Sequence, residues 1–183
     1  MLLRGCETPL RPCERGPDLR SDREQRYYDG NAQDARWSQD ILAAEVFAES
    51  GDMAAARARA AEAMTLMKTL LVQQPENADL WSDIALAYAF LGEKEAAISA
   101  AQKSVTLLAD TRDAVAGPAN AFGCATALCW VGETDKALAE LKRLMQVPYG
   151  ASIYPTRLGW RPLRDDPRFR ELVLDPRNND PLF

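Results

Sequence analysis

Apolar side chains return at every third or fourth position through the middle of this chain, the spacing of one face of an α-helix. Over 35–50, Trp37, Ile41, Ala44 and Ala48 share a face. Over 53–74, Ala56, Ala60, Ala63, Met67 and Leu70 do the same, and Pro75 stops the run. The pattern predicts further helices over 78–91 (Trp81, Ile84, Tyr88, Leu91) and 94–109 (Ala97, Ala101, Val105, Leu108). Two more follow over 119–131 (Ala121, Cys124, Leu128, Val131) and 134–146 (Ala137, Leu141, Leu144). No alternation of useful length competes for a strand. An all-α fold is the expectation.

The predicted helices come in pairs, and one phrase joins each pair. It reads Gly51-Asp52-Met53-Ala54-Ala55-Ala56, then Gly92-Glu93-Lys94-Glu95-Ala96-Ala97, then Gly132-Glu133-Thr134-Asp135-Lys136-Ala137. The glycines stand at 51, 92 and 132, intervals of 41 and 40 residues. Glycine suits the left-handed residue that closes a helix. The acid after it meets the positive end of the next helix dipole. The alanine five places on lets two helices approach closely. A loop over 110–118 separates the second pair from the third.

The flanks differ. Residues 1–30 are rich in Arg, Asp, Glu, Pro and Gly with little apolar periodicity. They read as a mobile tail or as the remnant of an upstream element. The segment 149–183 is punctuated by prolines, and Asp166-Pro167 has the form of a helix start. Phe169, Leu172 and Val173 give that short helix one apolar face. The expected organisation is a tail (1–30), a helical repeat region (31–148, with units at 37–75, 78–111 and 118–148) and a proline-rich cap (149–183).

Composition removes several functions. The chain has 183 residues, 47% of them hydrophobic, and a net charge of −5. No long basic run is present, so a nucleic-acid binder that tracks phosphates is not expected. Histidine is absent, which removes the commonest general base and metal ligand. The four cysteines form no Cys-x-x-Cys pair and lack zinc-ligand spacing. A reducing, cytoplasmic compartment fits them best. No stretch reaches the roughly 18 to 20 apolar residues that span a bilayer. The opening Met1-Leu2-Leu3-Arg4-Gly5-Cys6 has no adequate apolar run before its cysteine to serve as an export signal. No nucleophile–base pair, metal cluster or phosphate loop is legible, so neither an enzyme nor a cofactor is expected.

The second pair carries a recognisable pattern: Trp81-x-x-Ile84-Ala85-x-x-Tyr88, then Gly92, Ala97, Ala101 and Ser104. It resembles a tetratricopeptide repeat. Counted from Ala78, the unit has the 34-residue length of that family without a gap. Alanine replaces the usual glycine at 85 and the usual aromatic at 101, and no proline closes the unit. The third pair fits from Pro118, with Leu128, Gly132, Ala137, Leu141, Leu144 and Pro148. The first fits from Trp37, with Ala43, Ala44, Phe47, Gly51, Ala56, Ala60 and Ala63. Its second helix runs about two turns past the standard length. The resemblance covers 37–148. The tail from Leu158-Gly159-Trp160 to Arg168-Phe169 is similar to the ending of tetratricopeptide regions in bacterial cyclase, kinase and transcription-regulator signalling proteins.

The resemblance implies an α-α superhelix of about three hairpins with a short capping helix, in which the first helix of each pair lines a concave groove. Carried over by position, the groove residues are Ser38, Ile41, Glu45, Ala48 and Glu49; then Asp79, Ser82, Leu86, Ala89 and Phe90; then Ala119, Phe122, Thr126, Cys129 and Trp130. The implied function is protein–protein interaction as a bacterial, cytoplasmic scaffold or regulatory module. Its partner would be a protein or peptide with apolar anchors and basic residues, since acid in the groove opposes an acidic chaperone tail. Phe122 and Trp130 are the expected hot spot. Two alternatives stand beside this. The chain's own C-terminal segment covers the groove, or the protein self-associates through the Trp37 helix as a homodimer. Trp81 and Cys124 read as core residues, and Cys129 as the more modifiable thiol. Arg161, Arg164, Arg168 and Arg170 are expected to pair locally with Asp165, Asp166 and Glu171.

Overall fold

Three of the turns have the same cause. Gly51, Gly92 and Gly132 adopt φ of +95°, +87° and +80°, a region open to glycine at little steric cost. At each, the glycine N–H and the following N–H donate back to carbonyls of the preceding helix. Gly92 bonds Ala89 O and Glu93 bonds Tyr88 O; Gly51 and Asp52 bond Ala48 and Phe47; Gly132 and Glu133 bond Cys129 and Leu128. This double closure is a Schellman motif, repeated three times. The acids that follow behave differently. Asp52 caps its helix by accepting from Ala55 N–H, while the side chains of Glu93 and Glu133 make no cap bond. Glu133 pairs with Lys94 at 2.6 Å and Lys136 at 2.8 Å, bridging the second and third hairpins.

The computed structural model describes residues 32–109, 113–147 and 158–175, with side chains from residue 37. The sequence readings that fall on 1–31, 110–112, 148–157 and 176–183 lie outside the described residues. Seven α-helices are found among the described residues: α1 (Ala32–Ser50), α2 (Met53–Gln73), α3 (Ala78–Leu91), α4 (Lys94–Leu107), α5 (Ala116–Trp130), α6 (Thr134–Leu144) and α7 (Pro167–Leu174). A 3₁₀ turn, Arg161–Leu163, precedes α7. No strand occurs among them. The fold is all-α. α1/α2, α3/α4 and α5/α6 pack as hairpins, and each hairpin packs on the next in a superhelical stack. α5 begins at Ala116, three residues earlier than the periodicity predicts. Asp113 accepts from the N–H groups of Val115 and Ala116 and starts the turn before Pro118.

Small residues set the helix spacing. Ala44 and Ala48 on α1, and Ala56, Ala60 and Ala63 on α2, are fully buried. So are Ala85 and Ala87 on α3, and Ala97, Ala100 and Ala101 on α4 are nearly so. Two apolar clusters result. One lies under the first two hairpins. The other joins α5 and α6 to Trp160, Leu163 and Phe169 of the C-terminal segment. Trp81 packs against the first cluster, and its indole N–H donates to Pro75 O at 2.8 Å.

Candidate functional site

The first helices of the three hairpins, α1, α3 and α5, share one face, and that face has two ends of different character. The end nearer the starts of these helices holds a cavity of about 390 Å³. α1 supplies Ile41, Leu42 and Glu45 to its wall, α3 supplies Asp79, Ser82, Asp83 and Leu86, and α5 supplies Asn120, Phe122 and Thr126. Gly123 of α5 also belongs to it: a Cβ there would stand 2.3 Å from Ser82 Oγ. A side chain there would displace the Ser82 hydroxyl from its place against α5.

Three carboxylates meet this space. Asp83 is held among protein atoms next to Asp79 on its own helix and Glu45 on α1. Burial first, then Asp79, then Glu45 push its carboxyl up to about 8. Asp83 is only half-buried by surface area, because it opens on the cavity. The enclosure of its carboxyl still dominates. No ion pair to Asp83 is found among the described residues.

The other end of the face is sealed by the chain itself. Gly159 N–H donates to Glu49 Oε1 at 2.8 Å and Arg161 N–H to the same oxygen at 3.1 Å. Arg164 pairs with Glu49 Oε2, and Arg161 Nη1 donates to Ala48 O at 2.9 Å. The Glu49 side chain is only 7% exposed. Trp160 is 1% exposed. It stands edge-on to Phe122 (centroids 5.7 Å apart) and tilted against Phe169 (6.1 Å). Gly159, at φ +105°, presses on Thr126, where a Cβ would meet Cγ2 at 2.6 Å. A segment more than a hundred residues distant in sequence thus closes onto the C-terminus of α1.

Of the residues expected in the groove, Ile41, Glu45, Asp79, Ser82, Leu86, Phe122 and Thr126 come together at the cavity. Glu49 is taken up by the C-terminal segment. Phe90 is 1% exposed and meets Trp130 edge to face at 5.4 Å, so this pair packs inward. Phe122 and Trp130 do not form one exposed hot spot, since Trp160 covers the first. Cys129 is also a correction. It is 1% exposed, and burial, helped by the Glu49 carboxylate, pushes its thiol up to about 12. Cys124 is pushed up to about 11 by burial. Both are inert at neutral pH. The C-terminal arginines are a partial correction. Arg168 and Arg170 pair locally with Asp166 and Asp165, but Arg168 also reaches Asp135, and Arg164 reaches across to Glu49.

The sequence reading missed Asp83, Asn120, Gly123 and the Glu49 contact. Asp79 and Asp83, four residues apart on one helix, were a usable signal for the first. The others depend on which helices meet. Among the described residues, no helix is long and apolar enough to cross a membrane, and no group of His, Cys, Asp or Glu is placed to hold a metal. The wall of the cavity combines carboxylates and polar groups with apolar side chains. No family model matches the chain, nor does any curated protein or solved structure.

Proposed function

We propose that this protein is a tetratricopeptide-type interaction module whose concave face receives a segment of a partner protein. In this reading it is a scaffold or regulatory element of a bacterial, cytoplasmic signalling system and performs no catalysis. The observation that carries it is the cavity between α1, α3 and α5, a concave space of about 390 Å³ with apolar walls and convergent polar groups. Exposed Leu42 and Leu158 at its rim offer apolar contact. Selection of random displayed peptides on the full chain tests it. Peptides that bind should lose affinity when Leu42→Ser or Asp79→Asn is introduced, because both residues line the cavity and are exposed. Selected peptides that bind both variants unchanged would sink the reading.

A second reading is favoured by one observation. The C-terminal segment already fills part of the same face, with Trp160 seated against Phe122. The face is then structural, and the exposed Leu42 and Val46 on α1 serve self-association. Light scattering across a concentration series separates the two, since a monomer at every concentration removes the second.

A further inference from the structure

The segment that seals one end of the concave face is held the way a bound peptide is held. One short stretch, Gly159-Trp160-Arg161-Pro162-Leu163-Arg164, carries the hydrogen bonds to α1. The main-chain N–H groups of Gly159 and Arg161 converge on one oxygen of Glu49, and the Arg164 guanidinium takes the other. The Arg161 guanidinium donates to Ala48 O, near the negative end of the α1 dipole. The Trp160 ring fills a slot beside Phe122 of α5, and Leu163 is buried in the same cluster. Gly159 lies so close to Thr126 of α5 that a Cβ would overlap its methyl group.

The seat itself is positioned by other contacts. Ile41, Ala44 and Ala48 fix α1 within the first apolar cluster, which contains no residue of this segment. The turn after α1 is closed by its own bonds to Ala48 O and Phe47 O. α5 packs on α3, α4 and α6. The seat therefore presents a buried carboxylate, a helix end and an aromatic slot to six consecutive residues. Those features read a short sequence, whichever chain carries it.

We propose that this end of the face is a recognition site for a partner segment of the same chemistry, and that the chain's own copy is an internal competitor for it. The motif is glycine-tryptophan-arginine, followed two and three residues on by leucine and a second arginine. The indole enters the slot beside Phe122, and the arginines meet Glu49 and the end of α1. This deepens the groove-binding reading above and rests on it, but it engages a different end of the face from Leu42 and Asp79. A tethered copy holds the seat at an effective concentration on the order of 1 mM. A free segment therefore enters readily only when the tethered copy is weakened.

The test is titration of the full chain with a fluorescein-labelled peptide that copies Leu158 to Leu174, read by anisotropy. Two full-length variants weaken the tethered copy, and circular dichroism checks their folding. Arg164→Glu sets a carboxylate against Glu49 at a position 56% exposed. Trp160→Ala empties the slot; should that chain fail to fold, Arg164→Glu carries the test alone. The peptide is expected to bind each folded variant about tenfold or more tighter than it binds the unaltered chain. A peptide carrying Trp160→Ala should lose most of that affinity, and adding Glu49→Gln to the Arg164→Glu chain should weaken binding severalfold. Equal affinity for the unaltered chain and the variants means that the peptide does not compete with the tethered copy, and overturns the proposal. So does a lack of binding to folded variants, which makes this end purely structural, or binding indifferent to the tryptophan. Each of these failures leaves the displayed-peptide selection free to succeed, since that selection reads the other end through Leu42 and Asp79.

Discussion

The two ends of the concave face are built from the same three helices and have opposite fates. At one end, carboxylates from α1 and α3 remain around a cavity, and one of them is held well above its ordinary titration range. At the other, the Glu49 carboxylate is bonded to two backbone N–H groups and an arginine, all from one segment. A carboxylate facing a solenoid groove is costly until donors are supplied. The chain supplies them itself for Glu49. Around Asp83 it supplies none among the described residues. The difference teaches that the closed end is part of the fold, while the other end keeps a cavity.

The comparison breaks most severely at Trp160. Trp160→Ala removes a fully buried ring from between Phe122 and Phe169 and should cost about 3–5 kcal/mol in urea unfolding. If the loss is under about 1 kcal/mol, the segment is a loose cover and the two ends are not distinct in kind. Next comes Glu49→Ala, which strands the N–H groups of Gly159 and Arg161; a cost of about 2–3 kcal/mol is expected. Glu49→Gln keeps one acceptor and should lose less. Equal losses for the two variants would mean that hydrogen bonding does not hold the segment.

The open end is sharpened by pH. Asp83 has a raised carboxyl, from 3.8 to about 8. Between those values the folded protein holds a proton that the unfolded chain has released. Its contribution is therefore fully present below about pH 4 and is lost as pH rises through 8. Asp83→Asn should flatten that part of the stability profile and gain about 1–2 kcal/mol at pH 8. Parallel profiles for the two proteins would show that Asp83 is not held in its neutral form. The smallest effect is expected for Leu42→Ser. Leu42 is 56% exposed, so stability should change by no more than about 0.5 kcal/mol while peptide binding weakens. A large loss of stability would move Leu42 from the rim of the site into the fold.

Much of the framework was legible because its causes are local. The 3.6-residue periodicity, the glycine after each first helix and the Asp166-Pro167 start are written within a few residues of where they act. Helix bounds such as Ala78–Leu91 followed from them, whereas the face assigned to Ile41, Glu45, Ser82 and Leu86 came from the resemblance to tetratricopeptide repeats. The start of α5 was placed late, because Asp113 begins that turn through bonds to Val115 and Ala116 that no apolar period records. The hot spot was misjudged for a different reason. Phe122 and Trp130 occupy groove register, but register says which face a residue shares and nothing about what lies on top of it.

The sequence by itself determined the all-α character and the three hairpins, since each is a matter of neighbours within one or two turns. Only the tertiary structure decided which residues of the concave side stay open. That depended on Glu49 meeting Gly159, Arg161 and Arg164, and on Trp160 filling the space over Phe122. Such pairings span the length of the chain and are selected by burial and hydrogen-bond satisfaction together, so no local pattern announces them. The same holds for Asp83. Its place four residues after Asp79 was visible, but its raised titration range arises only when Glu45 of α1 and the wall of α5 close around it.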